Sequence, residues 1–220
     1  QLPRSISLDW TMALWMRTDD PGRMGLGGTG SFWNGYGLIN GEVPGFADDF
    51  GLAFQSYSLS YGVGAVGDPG TTIVAQNVIF DNEWHHVAAT RDAFTGQLAL
   101  FLDGEPALNL VPDPNNPNDI IEVPVEGIGP VGPKEAPQSL LVGSINGEPG
   151  KYLFGEVADT RLYNYVLDVN EIAALVGLLE VKPMENLVAI SDSGTGLPLT
   201  ALALDWEPTA TLVLGATTFA

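Results

Sequence analysis

The fold is decided by two neighbouring segments, NEWHHVAATR at residues 82–91 and GQLALFLDGE at residues 96–105. Both contain short runs of apolar residues with turn residues on either side, which is the pattern of paired strands. We therefore predict strands at residues 84–92 and 97–103. The second strand is followed by Asp103 and Gly104, a dipeptide typical of tight hairpin turns.

Working outward from this hairpin, the same pattern recurs along the chain and is typical of a sandwich or barrel. Residues 11–18 alternate, so that Met12, Leu14 and Met16 share one face, while Trp15 lies on the other. Further strands are predicted at residues 50–58, 71–78, 139–145 and 153–166.

One segment, residues 169–178, predicts a helix. Asp168 is a good N-cap, and Glu171 follows at the spacing at which the two side chains satisfy each other's free backbone amides. One short helix among about a dozen strands predicts an all-β architecture.

Two stretches depart from this rhythm. Residues 112–137 are rich in Pro, Asn, Asp and Gly and predict a long loop, which is often functional. Residues 182–220 follow the helix and contain three more apolar strand candidates, at residues 187–190, 199–204 and 211–214. We therefore predict a sandwich domain over residues 1–180 and an appended β-rich segment over residues 181–220.

Composition narrows the classes of partner. The 220 residues include 27 acidic and 8 basic side chains, a formal net charge of -19, which repels nucleic acid and anionic membranes and favours cations or neutral sugars. There is no cysteine, so disulfides and thiolate metal sites are excluded. No apolar run approaches the ~20 residues of a spanning helix, and residues 1–4 lack the features of a signal peptide. We expect no membrane insertion and, if the protein is exported, a signal removed beforehand.

Several blocks, read in order, resemble one family. They are DWTMALWMR at residues 9–17, the hairpin at residues 82–105, LVG at residues 141–143 and GEVADTRLYNYVL at residues 155–167, followed by the helix. Together they resemble laminin-G-like domains of the concanavalin A-like lectin and glucanase superfamily over about residues 5–178. The resemblance implies a two-sheet antiparallel jelly-roll β-sandwich that takes ligands at its concave face or rim loops, often with calcium at the rim.

A sugar site needs an aromatic ring beside hydrogen-bonding side chains in a shallow surface. The segment SFWNGYG at residues 31–37 supplies both, so Trp33, Asn34 and Tyr36 are the candidate ligand-binding residues. The alternative that Trp33 packs in the core stays open, since aromatic residues of sandwiches are usually buried. Burial of this kind is expected for three other tryptophans: Trp10, Trp15 and Trp84.

Calcium needs several oxygen ligands, and three groups of residues are candidates for them. The first group lies in a polar loop, and the second is an acidic pair. In the third group, the Asp that is commonly associated with calcium in the family is replaced by Ala158, and neighbouring carboxylates could substitute for that Asp. The candidates are Asp113, Asn115 and Asp119, then Asp48 and Asp49, then Glu156 and Asp159. The alternative is that Asn and Asp serve there as turn residues.

Catalysis is not predicted. Glycosidases place carboxylates on both sides of the scissile bond, and no Glu-x-Asp-x-x-Glu arrangement occurs. His85 and His86 lie in the hairpin, one on each face, and no Ser or carboxylate cluster is placed beside them by sequence, so a structural role is favoured.

These observations predict a non-enzymatic recognition module, secreted or at the cell surface, that binds a glycan or cell-surface polymer or acts in adhesion. The alternative is a structural subunit of an extracellular fibre or surface layer, in which the C-terminal strands contact neighbouring subunits.

Overall fold

The computed structural model describes residues 7–20, 31–42, 48–55, 57–65, 68–76, 80–134, 140–145, 151–177 and 217–219. Within these ranges the chain forms strands, one turn of 3-10 helix at Phe32–Asn34 and one α-helix, α1, at Val169–Gly177. The strands are β1 (Trp10–Arg17), β2 (Tyr36–Asn40), β3 (Phe50–Gln55), β4 (Ser58–Ala65), β5 (Asp68–Ala75), β6 (His85–Arg91), β7 (Gln97–Leu102), β8 (Glu105–Pro106), β9 (Leu108–Asp113), β10 (Asn116–Pro124), β11 (Glu126–Ile128), β12 (Leu141–Val142), β13 (Gly155–Tyr163) and β14 (Thr217–Phe219).

The strands form two facing antiparallel sheets. The first has the order β11-β7-β6-β1-β13-β14, with β8 paired to the end of β7, and the second has the order β12-β2-β3-β4-β5. The edge strands β11 and β5 meet where Thr71 Oγ1 donates to the Ile128 carbonyl at 2.9 Å. The predicted all-β, two-sheet jelly-roll sandwich with one short helix is confirmed.

The core lies between the sheets and follows the predicted alternation of β1. Met12, Leu14 and Met16 are fully buried with Trp10 in the main apolar cluster. Trp10 Nε1 donates to the hydroxyl of Tyr61 at 3.0 Å, which satisfies the indole N–H inside the core.

The outer face of the first sheet carries α1. Its apolar side chains Ile172 and Leu175 pack on Ala13 and Ala88, since small residues on the strands let a helix approach. The predicted capping box is confirmed: the backbone N–H of Asp168 donates to Glu171 Oε2 at 2.8 Å, and the N–H of Glu171 donates to Asp168 Oδ1 at 2.9 Å.

The burial predicted for the tryptophans holds only for Trp10. Trp15 and Trp84 are half-buried, so that prediction was wrong for both. Trp15 points to the outer face of the first sheet, where its ring lies edge-on to His86 at 5.4 Å. Trp84 precedes β6 and lies beneath the Arg17 guanidinium at 5.2 Å.

The long loop predicted for residues 112–137 is wrong over residues 112–128, most of which lie in strands, and residues 135–137 lie outside the described residues. β9 and β10 form a separate two-stranded hairpin, and β11 follows it directly. Proline is tolerated because each strand of a two-stranded ribbon has an outer edge that needs no N–H donor. The hairpin is tied to the sandwich by Asn109, whose amide accepts from the N–H of Gln76 at 2.9 Å and donates to the carbonyl of Val74 at 2.8 Å.

The strands predicted at residues 187–190, 199–204 and 211–214 lie outside the described residues. Of the predicted appended segment, only β14 is described, and it pairs with Gly155–Val157 at the start of β13. The domain boundary at residue 180 and the contacts of this segment with other subunits therefore stay predictions.

Candidate ligand-binding site

The 3-10 turn at Phe32–Asn34 is seated on the outer face of the second sheet. Gly51 and Gly62 are cross-strand partners on β3 and β4, and the Phe32 ring covers both. A Cβ on Gly62 would lie 2.4 Å from Phe32 Cδ1, and one on Gly51 would lie 2.6 Å from Phe32 Cδ2. Phe32 is 1% exposed, so this glycine slot fixes the position of the turn.

The turn presents two of the three predicted ligand-binding residues to the surface. Trp33 and Asn34 are half-buried, and the Trp33 ring stands edge-on to Phe32 at 5.2 Å. The buried ammonium of Lys151 donates to the Trp33 carbonyl at 2.5 Å. Tyr36 is 7% exposed and belongs to the main core, so its ring packs inside the sandwich and is not presented to the surface with Trp33 and Asn34.

The segment of residues 151–154, which contacts this turn through Lys151, carries two exposed aromatic rings. Lys151 and Leu153 are buried, whereas Tyr152 is 54% exposed and Phe154 is 56% exposed. The alternation is that of a strand with one face in solvent, and Tyr152 is bridged to Ser144. Tyr36 supports Phe154 with its ring centroid at 5.6 Å.

Phe154 also borders a surface depression of about 260 Å³. The lining residues come from the end of β1, the turn before β6 and the start of β13: Arg17, Thr18, Asp19, Asn82, Phe154, Gly155 and Glu156. The residues that line the depression therefore include a guanidinium, two carboxylates, an amide, a hydroxyl and the exposed Phe154.

Hydrogen bonds hold the walls of the depression together. Thr18 Oγ1 donates to the Phe154 carbonyl at 2.5 Å, and the N–H of Asn82 donates to the Thr18 carbonyl at 3.0 Å. Arg17 forms an ion pair with Glu156 while its guanidinium lies over Trp84. Three distant parts of the chain are thus fixed relative to one another, so the depression is preformed.

His85 lies near one wall, and two carboxylates accompany it, contrary to the expectation from sequence. Its Nδ1 is 2.8 Å from Asp103 Oδ2 and its Nε2 is 3.1 Å from Asp81 Oδ1. Burial lowers the pKa of His85, but the hydrogen bonds and charges of Asp103 and Asp81 outweigh that effect and raise it. On the opposite face, burial lowers the pKa of His86 to about 4, with a smaller contribution from the charge of Arg161.

The predicted calcium ligands do not come together. Two of them engage basic side chains: Asp48 Oδ1 lies 3.0 Å from the Lys134 ammonium, and Asp159 contacts Arg161 through both carboxylate oxygens, at 2.8 and 2.5 Å. Asp49, which follows Asp48 in sequence, is buried.

The remaining predicted ligands are also separate. Asp113 Oδ1 accepts the N–H of Asn115 at 2.7 Å at the tip of the β9–β10 hairpin, where Asp119 Oδ2 accepts from Asn116 at 2.8 Å, while Glu156 lies in the depression. The described residues contain no group of three or more His, Asp or Glu side chains arranged for a metal. Calcium binding stays a prediction.

Sequence reasoning missed most of the depression. The sequence predicts no ligand-binding role for Arg17, and it predicts Glu156 as a calcium ligand and not as part of a glycan site. Asn82 and Phe154 carried no signal of their own, because their role depends on three segments meeting in space. The alternating pattern KYLF at residues 151–154 is the one local sign that could have indicated exposed aromatic rings at this edge.

Solved structures with similar folds include a presumed carbohydrate-binding protein from Bacteroides ovatus, with 13% identity over 76% of this chain and 40% of that chain and a TM-score of 0.49. Others are domains LG4-5 of the mouse laminin alpha1 chain (16% identity, 74% and 37% coverage, TM-score 0.45) and the botulinum neurotoxin type G receptor binding domain (10% identity, 77% and 38% coverage, TM-score 0.47). The chain thus spans about two fifths of the length of these chains.

No functionally curated protein is significantly similar to this chain in sequence. In the part of the chain that the structure describes, the helices are too short or too polar to cross a bilayer. A laminin G family model, described as the concanavalin A-like lectin/glucanases superfamily, matches residues 2–119. Since that match covers more than half of the 220 residues, the chain belongs to this laminin G family of the concanavalin A-like lectin/glucanases superfamily.

Proposed function

We propose that this chain is a non-enzymatic carbohydrate-recognition module, secreted or displayed at the cell surface, that binds a glycan at the depression beside Phe154. One observation carries the proposal: an exposed aromatic ring borders a preformed depression with several hydrogen-bonding side chains. A pyranose has an apolar face and a rim of hydroxyls, so it needs both kinds of contact. Membership of a superfamily that includes lectins agrees with this proposal.

The size of the depression suits a small part of a glycan. Its volume of about 260 Å³ lies just below the range of roughly 300–1,000 Å³ for sites that enclose drug-sized ligands. One sugar ring on Phe154 would fill most of this space. Tyr152, exposed on the same side of the segment about 7 Å along the chain, offers further aromatic surface for a longer glycan.

Charge favours a neutral glycan. The depression carries two carboxylates, Asp19 and Glu156, against the single guanidinium of Arg17, and the chain has a formal net charge of -19. An anionic polysaccharide would meet repulsion both at long range and at the site. Arg17 is moreover already paired with Glu156.

A matched pair of variants tests the proposal. Phe154→Ala removes the ring at the depression, and Phe94→Ala removes another exposed ring, 92% exposed, at the β6–β7 turn. On a glycan array followed by titration calorimetry, we expect Phe154→Ala to weaken binding about tenfold or more, as loss of a central aromatic contact does, and Phe94→Ala to leave it unchanged. Equal affinities for both variants would contradict the proposed site.

The non-enzymatic part of the proposal has its own test. Asp19 and Glu156 both border the depression, and glycosidases use two carboxylates. Purified protein incubated with the glycans it binds should release no new reducing ends. Release that is abolished by Glu156→Gln would show that the chain is a hydrolase.

A further inference from the structure

His85 lies at the rim of the sandwich, where β6 begins, and each of its ring nitrogens faces a carboxylate. The distances are 2.8 Å from Nδ1 to Asp103 Oδ2 and 3.1 Å from Nε2 to Asp81 Oδ1. An ionised carboxylate only accepts hydrogen bonds, so both contacts are hydrogen bonds only when both ring nitrogens carry protons. The geometry therefore fits the imidazolium form of His85.

The contact with Asp81 fixes a turn that borders the depression. Asp81 Oδ1 also accepts a backbone N–H of this turn, from Glu83, at 2.9 Å, so one carboxylate joins the imidazole to residues 81–84. Asn82 of this turn lines the depression. Trp84 at its end supports the Arg17 guanidinium.

We propose that His85 is a positioning residue of the glycan site: its imidazolium, bridging Asp81 and Asp103, holds the turn of residues 81–84 in the shape that completes the depression. A neutral imidazole keeps one N–H, and the shorter contact, to Asp103, retains it. The hydrogen bond to Asp81 is then lost and the turn is released. The role of the depression in glycan binding rests on the proposed function, whereas the coupling of His85 to the turn does not.

The surroundings of His85 set the direction of the pH dependence. Among the described residues, the charged groups that face it are Asp81, from the turn before β6, and Asp103, from the turn after β7, while β1 presents Met16 at this register. The pKa of His85 is raised above 6.5. The pKa of Asp81 is lowered, chiefly by the N–H of Glu83, so Asp81 stays ionised while His85 titrates.

It follows that the bridge is complete below the ordinary histidine pKa and is lost as the pH rises through the raised pKa of His85. Glycan affinity should therefore be highest at mildly acidic pH. His86 does not cause this pH dependence, because its pKa is lowered to about 4.

NMR on the ¹⁵N-labelled chain of 220 residues tests the coupling without any ligand. Between about pH 5 and pH 9, a range that spans histidine titration, we expect the side-chain signals of Asn82 and Trp84 to shift with the same midpoint as the His85 imidazole. Signals that do not follow His85 would overturn the proposal.

Two variants separate positioning from simple folding. In His85→Gln, the Asn82 and Trp84 signals should no longer titrate in this range. Asp81→Ala keeps the imidazole and its contact with Asp103, so His85 should still titrate while the turn no longer follows it. A turn that still follows His85 in Asp81→Ala would exclude Asp81 as the link.

Calorimetry with the best-binding neutral oligosaccharide from the array adds the functional readout. Between about pH 5.5 and pH 8.5 we expect affinity to fall roughly two- to fivefold, the range for one exposed charged hydrogen bond, and to stay constant in His85→Gln. A pH-independent wild type would contradict the role in binding. If no oligosaccharide binds, the proposed function fails, while the NMR titration still decides the role of His85.

Discussion

Gly62→Ala should destabilise the protein although it adds a single methyl group. The new Cβ would lie 2.4 Å from Phe32 Cδ1 and 2.7 Å from Thr72 Oγ1, well inside van der Waals contact, so the Phe32 ring must move. Overpacking of this kind costs about 1–3 kcal/mol, and replacing Gly by Ala within a strand returns about 0.5–1 kcal/mol. The midpoints of these two ranges leave a net loss of about 1 kcal/mol, or roughly 2–4 °C in Tm for a chain of this size.

Differential scanning calorimetry and urea unfolding measure this loss, and two further variants show where it arises. Gly177→Ala, at a position where a Cβ meets nothing within 4 Å, should leave stability within about 0.5 kcal/mol of the wild type. In a Phe32→Leu background the penalty of Gly62→Ala should shrink, because the two sites share one contact. If the penalty is the same in both backgrounds, Phe32 is not the group that the new methyl contacts, and the space over Gly51 and Gly62 does not fix the position of the 3-10 turn.

Three other predictions concern ionisation, capping and metal. Burial lowers the pKa of His86 to about 4. The neutral imidazole therefore stabilises the fold at a pH above the unfolded-state pKa of about 6.5, and this stabilisation is lost as the pH falls from 6.5 towards 4. Urea unfolding should show that acid destabilises the wild type by about 3 kcal/mol more than it destabilises His86→Leu. Asp168→Ala removes the acceptor for two N–H groups of α1 and should cost about 1 kcal/mol, whereas equal unfolding midpoints would mean that the cap is dispensable. The calcium prediction requires a higher Tm in Ca²⁺ than in EDTA, by an amount equivalent to about 2.7 kcal/mol at a hundredfold excess over Kd; equal melting curves would contradict it.

The parts of the fold that could be predicted are those in which local pattern and tertiary role agree. The alternation in β1 gave the buried face correctly, because β1 is a strand of the first sheet and only its face towards the second sheet can bury Met12, Leu14 and Met16. The capping box was predictable because its two side chains and two amides lie within four residues. The β6–β7 hairpin was predictable for the same reason, as its strands adjoin in sequence.

The missed strands β2 and β4 and the loop wrongly predicted at residues 112–137 share a physical cause, which is that glycine and proline have more than one role. β2 and β4, YGLIN and SLSYGVGA, contain glycines that indicate turns locally, yet Gly62 lies in a strand because an aromatic ring needs the space. In the β9–β10 hairpin, proline stands where outer edges need no donor. Neither reason is visible before the partner segment is known.

The candidate site was predictable only in part. The segment at residues 31–37 did place Trp33 and Asn34 at the surface, but Tyr36 serves the core. The depression needed Arg17, Asn82 and Phe154 to meet from three regions of the chain, and no spacing in sequence encodes that meeting. The carboxylates beside His85 were hidden similarly, because Asp103 had been assigned only a role in the turn.

The side chain of Asn109 links the β9–β10 hairpin to the end of β5, although the hairpin is a sheet of its own. The amide of this side chain donates and accepts as a strand residue beside β5 would, while among the described strands β9 and β10 pair only with each other, as a second small sheet. Backbone hydrogen bonds of Ala107 and Val125 hold the base of the ribbon, so a change in the length of the ribbon beyond Asn109 should leave the two large sheets intact. The tip of the ribbon is therefore a suitable place to insert a peptide tag or a fluorophore.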